Sequence, residues 1–118
     1  MNAETRLYEI LTAHSPLTAL VATRIYPDAM PANTTYPAIV FSRSSTEPIV
    51  MLSGSADGEL ATLTIEAWSP TRSASADVAD AVQAALQVEL ESIDTAVSLY
   101  DPELDLHGIS MTCTLLIE

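Results

Sequence analysis

Apolar and polar residues alternate with a period of two in the C-terminal segment of the chain. Five apolar residues share one side: Ile109, Met111, Cys113, Leu115 and Ile117. Hydroxyl residues lie between them: Ser110, Thr112 and Thr114. This alternation is typical of a half-buried antiparallel strand. The polar stretch that begins at Asp101-Pro102 predicts a chain reversal directly before that strand.

The segment from Leu60 to Ser69 alternates in the same way. One side carries Ala61, Leu63, Ile65 and Ala67, and the other carries Thr62, Thr64, Glu66 and Trp68. Two further strands are predicted, over 36–44 and 93–100. The first is apolar at every position from Ala38 to Phe41, which indicates that neither face is open to water. In the second, Ile93, Val97 and Leu99 are expected on one side.

A period of 3.6 predicts the helices. Residues 3–13 form a short amphipathic helix with Asn2 as its cap, and a second helical turn restarts at Ser15-Pro16, with Ser15 as its cap. The main helix covers 73–90, capped by Ser73 or Ser75. Its apolar stripe is Val78, Ala81, Val82, Ala85 and Leu86.

The order of these elements is helix, short strand, strand, strand, helix, strand, strand, where the first strand is the proline-punctuated segment 24–31. Strands that are joined by short turns, with the helices separate from them, predict an α+β fold. We expect one domain over residues 1–118, with a mostly antiparallel sheet of four to five strands covered on one face by two main helices.

The connection 45–59 is long for a link between two strands. Its apolar run Val50-Met51-Leu52 is unusual for a solvated loop. Two interpretations remain open, and they are compatible with each other: the run prolongs a strand and Asp57-Gly58 forms the tight turn, or the run is an apolar contact patch.

The chain is strongly acidic, with 16 carboxylates against four arginines and no lysine, for a formal net charge of −12. Nucleic-acid affinity comes largely from Lys and Arg that neutralise phosphates, so this balance argues against a phosphate-binding surface. It argues equally against anionic membranes. No apolar stretch approaches the ~18 residues that span a bilayer, and no secretory signal is present.

No pattern in the chain indicates catalysis, a metal or a cofactor. Cys113 lies on the apolar side of the last strand, which is typical of a structural thiol. His14 and His107 have no nucleophile or ligand spaced as a catalytic or metal site requires. The carboxylates at 101, 103 and 105 resemble a calcium loop, but Leu106 and Thr112 stand where that loop needs Gly and Glu.

Several segments, taken in order, resemble one family. They are Leu7-Tyr8, Leu17 to Ala22, Arg24-Ile-Tyr-Pro-Asp28, Tyr36-Pro-Ala-Ile-Val-Phe41, the strand that ends in Trp68, the Ala-rich helix and Leu99-Tyr-Asp-Pro-Glu103. In this order the chain resembles the tail completion proteins (also called tail-to-head joining or tail terminator proteins) of long-tailed bacteriophages. The resemblance covers almost the whole chain.

The resemblance implies a non-enzymatic virion protein of the phage neck, assembled in the bacterial cytoplasm. Six copies would form a ring that ends tail-tube polymerisation, contacts the tube protein and the head connector or stopper, and lets DNA pass through its lumen. We expect a monomer in isolation, with residues 45–59 mobile until assembly. Candidate interface residues are Val50, Met51, Leu52, Trp68 and Tyr100.

A second function class is compatible with the small size and the charge. An acidic protein of this kind can mimic DNA and inhibit a nucleic-acid-binding protein. Such a mimic needs carboxylates in rows, whereas here they are spread over helices, loops and strand ends.

Overall fold

The computed structural model describes residues 3–50, 56–89, 91 and 93–117. Within that part of the chain the fold is α+β, as predicted. Its elements in chain order are α1 (Ala3–Ala13), α2 (Ser15–Val21), β1 (Ile25–Pro27), β2 (Ala38–Val50), β3 (Ala56–Ser69), α3 (Arg72–Val88), β4 (Ile93–Asp101) and β5 (Leu106–Ile117).

The five strands form one mixed sheet in the order β1-β2-β3-β5-β4. The short β1 pairs with β2 in parallel, and the three other pairs are antiparallel. The predicted order of helices and strands is therefore confirmed. All three helices contribute buried residues to one core with the central strands, which defines a helix-covered face and an open face of the sheet.

The alternation predicted for β3 and β5 is confirmed by their register. Leu63 pairs with Cys113 and Ile65 pairs with Met111, and these four side chains are buried beneath the helices. The helices bury Leu7, Leu11, Leu17, Val21, Val78, Val82 and Leu86 against them. The prediction for Ala38 to Phe41 is also confirmed, because all four residues are buried.

On the open face, the pairing of Trp68 with Gly108 brings the indole directly over the glycine. A Cβ atom at position 108 would lie 2.8 Å from two carbon atoms of the Trp68 ring. Real Cβ atoms do not approach that closely, so the ring position requires a residue without a side chain.

Two predicted helix caps are wrong. Helix α2 has His14 at its N-cap position, so Ser15 is the first helical residue. Helix α3 begins one residue earlier than predicted and is capped by Thr71, whose Oγ1 accepts a hydrogen bond from the Ala74 amide at 3.3 Å. Ser75 is buried inside the helix instead, where its hydroxyl donates to the His107 carbonyl at 2.6 Å. The cap was misplaced because several Ser and Thr residues near this start are equally suitable by type.

The predicted faces of β4 are wrong in part, because the strand contains a register shift. Ile93 pairs with Cys113, but Thr95 pairs with Thr112, so one extra residue lies between them. This bulge turns the rest of β4 over. Val97 and Leu99 therefore lie on the open face, opposite Ser110 and Gly108, whereas Ile93 packs on the covered side.

The connection 45–59 is shorter than expected, and the interpretation that its apolar run prolongs a strand is confirmed at Val50, the last residue of β2. Residues 45–50 continue β2 and residues 56–59 belong to β3, so the strands form a long hairpin. Asp57-Gly58 is not its tight turn: Pro48 pairs with Glu59 and Val50 with Ala56, which places Asp57-Gly58 in a register shift. Gly58 has φ 108°, a conformation that favours glycine.

The contact of Trp68 with Gly108 gives a first prediction. We expect Gly108→Ala to destabilise the fold by about 1–3 kcal/mol, because the added methyl must displace the indole. Ser110→Ala, on the same face of β5, is the matched control and is expected to change stability by less than about 0.5 kcal/mol. Denaturant unfolding measures both.

A double-mutant cycle tests the cause of that effect. In a Trp68→Leu background, the cost of Gly108→Ala should fall sharply, because the atoms that the methyl meets are gone. An equal cost in both backgrounds would assign the effect to the backbone of β5 rather than to the indole.

Candidate assembly surfaces

The β2–β3 hairpin extends past the helices as an arm, defined by residues 44–50 and 56–60. The molecule measures 52 × 29 × 23 Å along its principal axes. Residues 44–47 are all exposed, including Thr46 on the helix-covered side, so the helix layer ends before the arm does. Of the predicted interface residues, Val50 ends β2 in this arm, and Met51 and Leu52 lie outside the described residues.

One arginine connects the base of the arm to the helix layer. The guanidinium of Arg43 donates to both carboxylate oxygens of Glu4 in α1, at 2.6 and 2.7 Å. It also donates to Thr46 Oγ1 at 2.9 Å and lies 3.9 Å from Glu59. The hydrogen bond from Arg43 lowers the pKa of Glu4, despite the opposing effect of partial burial. The ion pair thus fixes the first turn of α1 against β2.

A groove on the open face is built around the predicted residue Trp68. Its volume is about 250 Å³. Apolar side chains line it: Met30, Val40, Trp68, Leu104 and Leu106. Three carboxylates also line it: Asp28, Glu66 and Asp101. We call this the Trp68 groove.

Hydrogen bonds orient two sides of the Trp68 groove. The indole Nε1 donates to Glu66 Oε1 at 3.2 Å, so the ring and the carboxylate hold each other on β3. Asp101 Oδ1 accepts from the amides of Glu103 and Leu104 at 3.0 and 3.4 Å, which shapes the β4–β5 turn. Leu104, on this turn, is 64% exposed, so the groove ends in an unburied apolar side chain.

The predicted residue Tyr100 lies on the other face of the sheet. Its hydroxyl donates to Asp105 Oδ1 at 2.8 Å, and its ring centroid is 4.9 Å from that of His107. The hydrogen bond to Asp105 raises the pKa of Tyr100, with smaller contributions from burial and from the negative charges of Asp105 and Asp101. Tyr100 borders a cavity of about 310 Å³ that Arg72 and Ser75 also line. The structure therefore does not bring Trp68 and Tyr100 into one surface.

The four arginines are unevenly distributed. Arg43 is paired with Glu4, and Arg24 donates from Nε to the Pro37 carbonyl at 2.9 Å. Arg6 in α1 and Arg72 in α3 make no hydrogen bond or ion pair within the described part of the chain. Over the described ranges, the open face of the sheet carries no arginine.

Within residues 3–50, 56–89, 91 and 93–117, no group of three potential ligands is placed to hold a metal ion. His107 packs on Tyr100, and His14 precedes α2 without a side-chain cap. Among the helices described, none has the length and apolar character needed to cross a membrane.

Trp68 is a candidate interface residue by sequence and stays a prediction, whereas the acidic rim of its groove was not predicted. Alternation along β3 already places Glu66 and Trp68 on one side, which was the available signal. Asp28 follows β1 and Asp101 ends β4, and these strands are the two opposite edges of the sheet. Only the tertiary fold brings the segments after β1 and around the β4–β5 turn to one groove.

The single cysteine gives a second prediction. Burial raises the pKa of Cys113 to about 12, with smaller contributions from the negative charges of Asp94 and Glu91. Because the thiolate is the reactive species, Cys113 should not react with Ellman's reagent at pH 8 in the folded protein, and should react fully in denaturant. Rapid reaction of the folded protein, at a rate similar to that of free cysteine, would contradict a buried thiol.

Comparisons with known proteins give two findings. A family model described as "Tail completion protein gp17" matches residues 5–118 of this chain. Among solved structures, a chain from the "Virion of native gene transfer agent (GTA) particle" has a similar fold, with a TM-score of 0.70 over 95% of this chain and 91% of that chain. The two sequences are 19% identical, so the likeness concerns the fold alone. No curated protein matches this chain.

Proposed function

Because this chain belongs to the tail completion protein gp17 family, whose members are structural components of the virion and not enzymes, we propose that it completes the head-proximal end of a tail tube. In this proposal six copies form a ring that stops tube polymerisation and joins the tail to the head connector. The similarity of fold to a chain of a gene transfer agent virion supports the same setting. The family match over residues 5–118 is the observation that carries the proposal.

The surfaces of the protein are suited to a ring. A closed ring of identical copies uses heterologous contacts, so each subunit must present two different surfaces to its neighbours. The Trp68 groove lies on the open face of the sheet, and the helix layer covers the opposite face. The arm provides a third surface for a contact along the tail axis, towards the tube or the connector.

The charge of the protein is suited to a passage for DNA. With 16 carboxylates and four arginines per chain, a ring of copies surrounds its lumen with negative potential. Two of the arginines, Arg24 and Arg43, are already bonded within the chain. DNA in such a lumen meets repulsion rather than phosphate-binding cations, so it moves through without being held.

The alternative of an acidic DNA mimic is not favoured by the open face. The rows across the middle of that face are hydroxyls: Thr62, Thr64, Ser110, Thr112 and Thr114. A mimic of the DNA backbone needs carboxylates at those regular spacings instead.

Electron microscopy of negatively stained samples gives the third prediction. Mixed with purified tail tubes, the protein should cap one end of each tube with a ring and should prevent further polymerisation of tube protein. Protein that leaves tubes uncapped, but displaces DNA from a nucleic-acid-binding protein, would instead support the DNA mimic.

The arm gives the fourth prediction. Replacement of Val50, Met51 and Leu52 by Ser should leave circular dichroism and thermal unfolding close to wild type and should abolish tube capping, because an apolar contact is lost. Val88→Ser, at the exposed end of α3, is the control for a lost surface apolar residue and should cap normally. Global unfolding of the triple variant would show that the segment belongs to the core.

A further inference from the structure

The Trp68 groove combines features that suit an arginine side chain. Its apolar lining and indole face accept the aliphatic stem and the planar guanidinium. Among the described residues that line the groove, no cation accompanies its three carboxylates, Asp28, Glu66 and Asp101. The guanidinium of an arginine can stack on an aromatic ring and donate hydrogen bonds to carboxylates at the same time, and the compact ammonium of a lysine does this less well.

A second copy of this chain has few cations to offer. The chain contains no lysine and four arginines. Arg24 and Arg43 are held by their own chain, which leaves Arg6 and Arg72. Both lie in helices, on the face of the sheet opposite the groove. A contact between the helix layer of one copy and the open face of the next is therefore heterologous, as a ring requires.

Position along the strands distinguishes the two arginines. Arg72 follows Trp68 by four residues, so it lies at the same end of the sheet as the groove. Arg6 lies on α1, and Glu4 of the same helix forms an ion pair with Arg43 of β2. In the sheet register, Arg43 is opposite Leu63 of β3. Tyr8 of the same helix contacts Phe41, which pairs with Ile65. Arg6 therefore lies between the heights of Leu63 and Ile65, which are five and three residues, or about 17 and 10 Å, from Trp68 along β3. In a ring, two residues that contact each other across a subunit boundary lie at the same height along the symmetry axis. When the strands run parallel to that axis, Arg72 lies at the height of Trp68.

The overall charge makes this contact important for assembly. Copies with a net charge of −12 repel one another, and a contact that brings an arginine to carboxylates offsets part of that repulsion. Arg72 is exposed and lies beside Tyr100 and His107, at the cavity of about 310 Å³ on the helix-covered face. A neighbouring subunit can reach it there.

We propose that the Trp68 groove of one subunit receives the Arg72 side chain of a second copy of this chain. The open sheet face of each subunit then docks on the start of α3 of the next. This inference rests on the proposed ring and specifies the contact that closes it.

Charge exchange tests the proposal. Arg72→Glu and Glu66→Arg should each weaken association of the subunits at least about tenfold, measured by sedimentation and by ring formation on tail tubes. The double variant, which restores opposite charges, should recover most of the loss. Arg6→Glu is the matched control: it makes the same charge change on α1 and should associate like wild type. Circular dichroism checks that every variant is folded.

Trp68 supplies an independent readout, because it is the only tryptophan in the chain. Its fluorescence should change when wild-type subunits associate and should not change when Arg72→Glu is concentrated to the same extent. Rings that form normally with Arg72→Glu, or a double variant no better than either single one, would overturn the docking while the ring function stands. Association with the Trp68 change, but without tube capping, would support the docking and overturn the proposed function.

Discussion

The antiparallel register of β3 against β5 is the constraint on which the rest of the structure depends. These strands are central in the sheet, and their buried residues face each other in pairs, such as Leu63 with Cys113 and Ile65 with Met111. A shift of either strand by one residue would move all of its own buried side chains to the open face. The same register places Trp68 over Gly108, so the core beneath the helices and the groove on the open face are determined together.

Irregularities in β2 and β4, the strands on either side of this central pair, then decide which side chains each face of the sheet exposes. The register shift after Ile93 turns Val97 and Leu99 to the open face, and the shift between Arg43 and Ser45 occurs where the helix layer ends. Beyond that point the hairpin continues as the arm. Both bulges lie outside the tightly packed centre of the sheet, and a change of register costs least there. They also change which side chains each face of the sheet presents.

The distribution of charge follows from this division into faces. Two arginines are bonded within the chain, and the other two lie in helices, so the described part of the open face keeps carboxylates without arginine. This protein, a structural member of the tail completion family, thus has a polarity across its sheet that its composition does not reveal. A subunit of this kind is suited to contacts between unlike surfaces.

The sequence by itself determined the fold class, the faces of β3 and β5, and the four buried residues from Ala38 to Phe41, because hydrophobic periodicity is a local property that packing preserves. Only the tertiary structure decided the cap of α3, the faces of β4, the length of the β2–β3 hairpin and the acidic rim of the Trp68 groove. Each of these depends on a partner distant in sequence: a bulge is set by the neighbouring strand, and Asp28 and Asp101 line the groove of Trp68 only because the segments that follow the two edge strands, β1 and β4, meet on the open face.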